Sequence, residues 1–495
     1  MKEHRLALAD PRQASCFRES FASAGYDEKG LVATLGPIQL PNKLGRERGH
    51  FRHLTSRGRP LDTLIRLFLL GIPETAEAAR QALAPLPLAD WERVGLIEMS
   101  GDCVRGRVRI MAFQHMLLAC DYIEGPGAAE RPDLVMGITA STTTLADFTI
   151  RRPVRTVFDL GCGGGAQTFL AAQHSDRVYA VDRAPRSLDF ARFNAAFNAL
   201  GENIEFLEGD GFEPVAERNF DLIVSNPPFA VTPSSRFIYR DSGVPGDAFV
   251  RGLIEKAAHA LNEGGFCQLV CDWAHVEGQA WEERLAGWFE DTGCDGWAMR
   301  TDTHGAAEYA HVWIRDTEHG SEEECERLYN EWLAYYKRQR IEAVSTGLIA
   351  LRKASGRRNW VRIEEGPDSN SGPFGEYVLR GFGLRDFLEA APDDAALLEA
   401  RLRVAEAVRV DHVCVWEEGS WRIRSAKIRL AEGLQYEANL DLRLAGMAAM
   451  CDGTRTMREV LTAMAGTLDI GVERIAPNCL ALTRQLVERG FLIPA

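Results

Sequence analysis

The chain has 495 residues, enough at roughly 100 to 200 residues per domain for about three domains with cores of their own, which excludes a single small stapled scaffold. Hydrophobic residues make up 46% and charged residues 26%, a globular balance that excludes a disordered or collagen-like chain. The net charge of −14, from 57 Lys and Arg against 71 Asp and Glu, excludes nucleic-acid binding over the whole surface and confines any basic site to one region.

The N-terminus, MKEHRLALADPRQ, carries charges where a signal peptide needs an apolar run. The apolar stretch from Leu64 to Ile72 is broken by Arg66 and too short to span a bilayer, so no membrane association is expected. The cysteines contain no CxxC pair and read as reduced thiols of a cytoplasmic protein. With no HExxH and no clustered Cys and His, no metal is expected.

In chain order, Lys43 to Arg59 is basic, with Phe51, His50 and His53 interleaved, and can track a phosphate backbone or form a solvated face. LDTLIRLFLLG, ETAEAARQAL and LADWERVGLIEM then read as three short helices. The strand-like stretches Cys103 to Val108 and Arg109 to Phe113 follow as a hairpin, which suggests a winged-helix module. GPGAAERPD, residues 125 to 133, reads as a linker. ASTTT, before the next strand, can cap a short helix or close over a ligand.

From Val135 to about Arg315 apolar strands alternate with amphipathic helices, ending in a helix around Trp281 to Phe289 and two closing strands. This alternation predicts an α/β fold with a doubly wound, mainly parallel sheet. Residues 321 to 346 read as a charged helix, GLIALRK and NWVRIEE as strands, and the remainder as a helical and mixed region. The last part, LAGMAAMCDGTRTMREVL and LTRQLVERGFLIPA, reads as helix, turn, capped helix, and helix into a short strand. It resembles small PqqD-like winged-helix modules, while a plain packing domain fits equally.

The chemistry lies at four successive strand ends. TVFDL runs into Asp159, Gly161, Gly163 and Gly165, whose alternating glycines let the backbone turn tightly and approach a ligand at the N-terminus of the following helix. RVYAVD ends in Asp182, where a carboxylate can accept two ribose hydroxyls. The third strand ends in Glu208, Gly209, Asp210, Gly211 and Phe212, an acid and an aromatic suited to an adenine. The fourth, FDLIVS, ends in Asn226, Pro227, Pro228 and Phe229. There the Asn226 amide oxygen and the Pro227 carbonyl offer two acceptors to one planar NH2 group, and Phe229 can cover its flat face. Tyr239, Arg240 and Asp241, in the loop leaving this strand, are candidate substrate contacts. A solvated loop with a helix cap at Asp247 is the alternative. Five tryptophans, at 273, 281, 288, 297 and 313, read as packing residues.

With these motifs in place, residues about 135 to 315 resemble a class I S-adenosylmethionine-dependent methyltransferase of the NPPF/NPPY type. The run from Val178 to Phe229 is most similar to HemK-type protein-glutamine methyltransferases and to related small-domain rRNA methyltransferases. The resemblance implies a seven-stranded Rossmann-like sheet and S-adenosyl-L-methionine as cofactor. Asp159, Gly161, Gly163 and Gly165 would hold its methionine portion, Asp182 the ribose, and Asp210 and Phe212 the adenine. Asn226, Pro227, Pro228 and Phe229 would hold the acceptor nitrogen. It implies N-methylation of a planar NH2 group on a protein or peptide, with RNA or DNA as the alternative partner and a non-catalytic scaffold as a third reading. The expected organisation is an N-terminal arm and winged-helix domain over 1–133, the methyltransferase domain over 134–318, a helical and β extension over 319–380, and a C-terminal α+β domain over 381–495.

Overall fold

A computed structural model describes residues 6, 8, 11–36, 47–123, 131–318, 320–367, 369–440 and 442–495. Lys43, Arg46 and most of the expected linker lie outside the described residues. The chain forms two compact units, Met1–Ala146 with Arg152–Glu364, and Asp147–Arg151 with Glu365–Ala495.

In the first unit, the helices Pro60–Leu64, Ala76–Ala82 and Leu88–Val94 stand beside a small sheet of Glu74–Thr75, Cys103–Gly106 and Ile97–Ser100. The expected pairing of the stretches at 103 and 109 is replaced by two separate hairpins. Cys103–Gly106 folds back on Ile97–Ser100 through Gly101, at φ 61°. Arg109–Phe113 pairs with Met116–Cys120 through Gln114 and His115, whose φ values of 50° and 66° are those of a tight hairpin turn. In the basic segment, Arg59 is committed to Asp62 at 2.7 Å and Phe51 is buried.

The main sheet has eight strands: β1 Val154–Leu160, β2 Ser175–Asp182, β3 Ile204–Glu208, β4 Phe220–Ser225, β5 Leu261–Val276, β6 Cys294–Gly305, β7 Ile341–Lys353 and β8 Val361–Glu365. Their spatial order is β3-β2-β1-β4-β5-β7-β6-β8. The first five run parallel, and β7 lies antiparallel between β5 and β6. The parallel strands read as continuous apolar runs because helices cover both faces. These helices include α1 Ala140–Phe148, α2 Ala166–Ala172, α3 Pro185–Phe197, α4 Ala248–Ala260, α5 Trp281–Ala286, α6 Ala306–Thr317 and α7 Glu322–Gln339.

Three expectations are corrected here. The sheet has eight strands rather than seven, because β8 adds an edge. The division expected at residue 318 falls inside the sheet, since β7 is paired along its length with β5 and β6. A Cβ on Gly347 of β7 would lie 2.3 Å from both the Met299 carbonyl oxygen and the Trp273 ring, so this close insertion requires glycine. The second closing strand expected before residue 315 is helix α6, whose buried Tyr309, Ala310, Ile314 and Thr317 follow helical spacing.

The expected boundary at 133 is crossed by a shared core. Phe190, Phe193 and Phe197 of α3 are buried in one cluster with Phe17, Phe21, Phe68 and Trp91. Burying such side chains is worth roughly 1.5 to 3 kcal/mol each, so detaching the N-terminal part would expose a large share of its core.

In the second unit, Arg401–Val404 pairs with Asp452–Thr456 and Leu492–Pro494. Met457–Leu468 starts at a capping box in which Thr456 Oγ1 accepts from the Glu459 N–H and Glu459 Oε2 accepts from the Thr456 N–H. The helix Val472–Glu488 precedes the final strand. A long hairpin, β9 Val408–Glu417 and β10 Ser420–Leu430, turns at Glu418 and Gly419, both at positive φ. Sequence reading placed this stretch in the mixed region without resolving the hairpin.

Candidate active site

A cavity of about 530 Å³ opens at the carboxyl ends of β1, β2 and β4, the side of an open α/β sheet where ligands bind. Asp159, Gly161, Gly163, Asp182, Asp210 and Asn226 through Phe229 all line it.

The glycine loop takes the shape its sequence demands. Gly161, Gly163 and Gly165 have φ of 74°, 52° and 93°, a region side-chain-bearing residues seldom occupy. Space beyond Gly161 and Gly163 is open, whereas a Cβ on Gly165 would strike the Phe169 ring at 2.5 Å. Gly161 and Gly163 thus leave room for a ligand, and Gly165 permits close packing at the start of α2.

Asp182 accepts from the Gly163 and Ala184 N–H groups, both at 2.9 Å. Burial lifts its carboxyl above the ordinary range, and the two backbone bonds oppose the shift. Asp159 is buried and accepts from Thr168 Oγ1 at 2.5 Å. Its carboxyl is pushed up to about 7, chiefly by burial; the Thr168 bond opposes this and the Asp182 charge adds to it. Asp210 is exposed at the rim. Phe212 packs edge-on against Phe158, 5.1 Å between centroids, and is not among the residues lining the cavity.

At the end of β4, Ser225 Oγ donates to the Leu160 carbonyl at 2.8 Å, holding this strand end to that of β1. Asn226 Nδ2 donates to Ser141 Oγ at 3.1 Å, and Ser141 Oγ lies 2.9 Å from Thr139 Oγ1. The amide nitrogen is thereby occupied and the oxygen is left available as an acceptor. Phe229 meets Trp313 edge to face at 6.4 Å. At ASTTT the helix-cap reading holds, with the hydroxyl of the preceding Thr139 accepting from the Thr142 N–H, and residues 139 to 142 also line the cavity.

Of the three loop candidates, Tyr239 and Arg240 line the cavity and Asp241 does not. Arg240 is buried and bonded to Asp241 at 2.7 Å, Glu318 at 2.9 Å and Thr317 at 2.5 Å. Asp241 also accepts from the Arg236 and Phe237 N–H groups. The Arg240–Asp241 pair therefore braces its own loop against the end of α6. A buried ion pair stripped of either member leaves an uncompensated charge. Burial raises the Tyr239 phenol to about 12.

Sequence reasoning missed the opposite wall. α6 presents Tyr309, Val312, Trp313 and Asp316 to the cavity, and β5, β6 and β7 add Asp272, His304 and Thr346. Asp272 is buried, accepting from Tyr309 Oη at 2.5 Å and Thr346 Oγ1 at 2.6 Å. Burial pushes its carboxyl up to about 7 against the pull of those two bonds. Tyr309 Oη also accepts from the Val231 N–H, and Tyr336 Oη donates to the Val231 carbonyl, so two phenols pin the chain just past Phe229. The signal was the spacing of Tyr309, Trp313 and Asp316, which suits one helical face. Trp313, read as packing, lies on this wall.

The N-terminal part supplies a third wall, Leu118 to Cys120. The buried Asn194 of α3 holds it in place: Oδ1 accepts from the Ala119 N–H at 2.8 Å, and Nδ2 donates to the Ala119 carbonyl at 3.0 Å and to the Gly164 carbonyl at 2.9 Å. One side chain thus connects the hairpin to the glycine loop. Among the described residues, no group of three or more His, Cys, Asp or Glu is arranged to hold a metal ion, and no helix is long and apolar enough to cross a membrane.

Residues 138–291 match the family described as the methyltransferase small domain. Residues 23–107 and 380–494 match two families described as domains of unknown function, DUF7059 and DUF7782. Release factor glutamine methyltransferase of Escherichia coli (strain K12) is 33% identical over 153 residues, 28% of this chain and 54% of that protein. Ribosomal protein uL3 glutamine methyltransferase of Bradyrhizobium diazoefficiens is 33% identical over 132 residues, 24% of this chain and 40% of that protein. The chain spans about half the length of the curated relatives it matches. Among solved structures, precorrin-6y C5,15-methyltransferase from Geobacter metallireducens GS-15 aligns over 42% of this chain and 86% of its own, at 15% identity and a TM-score of 0.25.

Proposed function

We propose that this chain, in which residues 138–291 are a class I methyltransferase domain of the HemK-like kind, is an S-adenosylmethionine-dependent N-methyltransferase acting on a planar NH2 group of a protein or peptide, a glutamine-type amide. The observation that carries this reading is the placement of Asn226. Its nitrogen is tied to Ser141 and its oxygen is free to accept, in the same cavity as the open glycine loop and Asp182.

The residues present fit the cofactor. Gly161 and Gly163 leave unfilled space, and Asp159, Asp182 and Asp210 line the same cavity, where they would hold the methionine portion, the ribose and the adenine respectively. When bound, S-adenosylmethionine supplies an electrophilic methyl group. The Asn226 oxygen and the Pro227 carbonyl accept the two hydrogens of the acceptor NH2 and orient its otherwise delocalised lone pair. Positioning and electrostatics then supply the rate. Phe229 and Trp313, which meet edge to face, supply the aromatic lining beside the acceptor position. The cysteines are free thiols, which supports a cytoplasmic location.

Incubation with methyl-labelled S-adenosylmethionine and fractionated cell extract tests the proposal. The expected label is released by protease, resides on a glutamine amide nitrogen, and is lost with Asn226→Ala. Label released by nuclease would replace the protein acceptor with a nucleobase amine. No label in any fraction would count against the activity itself.

A further inference from the structure

The β9–β10 hairpin carries an apolar surface that the methyl-transfer site does not use. Val410, Val413, Val415 and Trp416 of β9, and Trp421 and Ile423 of β10, are all more than 40% exposed. β9 is the edge of its three-stranded sheet, so along Val408–Glu417 alternate N–H and C=O groups face outward without a strand partner among the described residues. A long, apolar, uncovered edge is a template for another strand. Soluble proteins usually blunt such an edge with charge, proline or a bulge; β9 has no charge or proline between His412 and Trp416, and the register shift at Val413 and Cys414 places its extra residue, Arg424, on β10 and not on the edge strand.

We propose that β9 pairs antiparallel with β9 of a second copy of this chain, about a two-fold axis at Val413, joining the two three-stranded sheets into one. Pleating requires residues directly opposite each other to point to the same face. The two positions of a facing pair must therefore be both odd or both even. Two such registers use nearly the whole strand. Centred on His412, Arg409 faces Val415 and Asp411 faces Val413, setting four charges against valines. Centred on Val413, Arg409 faces the second copy's Glu417 at both ends, Val410 faces Trp416, Asp411 faces Val415, His412 faces Cys414, and Val413 meets itself on the axis. The second register sets two charges rather than four against valines and brings each Arg409 to Glu417, which Arg424 of its own hairpin also binds, so charge complementarity selects it.

Trp416 is already packed edge-on against Trp421, its cross-strand neighbour, at 5.4 Å and 71°, so its ring loses little freedom on pairing. The even-numbered face is continuous with buried structure, since Val410 and His412 pair with the buried Ile428 and Ala426. The contact is isologous, with the same residues used by both copies, so it closes at two.

The test uses the full chain in sedimentation over roughly a hundredfold range of concentration, with dimerisation expected in the micromolar range typical of a small interface. Val413→Lys, which places two ammonium groups on the axis, should weaken the dimer at least about tenfold with unchanged circular dichroism. Arg409→Glu and Glu417→Lys should each weaken it alone, and an equimolar mixture of the two variants should restore it, because opposite charges then meet at both ends. In this register the two Cys414 residues are diagonal neighbours at roughly 7 to 8 Å. A short bismaleimide should therefore link the wild type and fail to link Cys414→Ser. A chain that stays monomeric at every concentration overturns the proposal. So does a dimer indifferent to these substitutions, or capture of an acceptor protein by a monomeric hairpin.

Discussion

Replacing Asn194 by Ala removes the side chain that joins the N-terminal hairpin to the glycine loop. Three bonds are lost, leaving the Ala119 N–H and carbonyl, both in a residue 1% exposed, and the half-buried Gly164 carbonyl without their partner. A buried polar group left unpaired costs roughly 1 to 3 kcal/mol, so two such groups and one half-solvated one predict a loss of about 3 to 5 kcal/mol. Asn198, four residues on at the C-cap of α3, is the control. It holds the Leu117 N–H and carbonyl in the same manner but is only partly buried and does not touch the glycine loop. Chemical unfolding should show Asn198→Ala losing a smaller amount, on the order of 1 to 2 kcal/mol. Titration calorimetry with S-adenosylmethionine separates the two more sharply. Asn194→Ala should bind about tenfold or more weakly, equivalent to about 1.4 kcal/mol, and Asn198→Ala as wild type. Equal affinity in the two variants would refute the coupling, and a stable Asn194→Ala would refute the bond accounting.

Asn226→Ala should lower turnover by ~10² to 10³ with cofactor affinity nearly constant, whereas Asp182→Ala should weaken the cofactor by roughly 1 to 3 kcal/mol. Calorimetry beside single-turnover assays would expose a reversal of these roles. Asp159 and Asp272 are both pushed up to about 7 by burial. Between the ordinary carboxyl range and 7, the folded chain holds protons that the unfolded chain has released. Their contribution to stability is therefore complete at low pH and is lost as pH rises towards 7 and beyond, by up to about 1.4 kcal/mol per pH unit for each group. Melting temperatures of wild type minus Asp159→Asn, taken from pH 5 to 8, should decline with pH; a flat or rising difference would remove Asp159 from that accounting.

The strand-end motifs were legible because they are local. Positive φ at Gly161, Gly163 and Gly165, a carboxylate at the end of β2 and a proline pair stopping β4 are each set within a few consecutive residues. Alternating strand and helix likewise announced the parallel sheet, since each βαβ unit is contiguous in the chain. Sequence alone thus determined the fold class and the motifs that come together on one cavity, Asp159, Gly161, Gly163, Asp182, Asp210 and Asn226 to Phe229, but not that Phe212 turns away to pack on Phe158. The far wall was decided only in three dimensions. Asp272 meets Tyr309 and Thr346 across 37 and 74 residues of chain, and Asn226 meets Ser141 across 85. The two Asp272 bonds follow from β7 inserting between β5 and β6 and from α6 folding as a helix over the cavity, and the Asn226 bond from α1 lying beside the end of β4. Strand insertion has no local period, and the helical spacing of Tyr309, Trp313 and Asp316 competes with the strand-like apolar run AHVWI. Arg240 shows the same limit from the other side. Beside a motif it reads as a substrate contact, yet burial against Glu318, 78 residues away, commits its guanidinium to the fold, because an unpaired charge cannot be left in that interior.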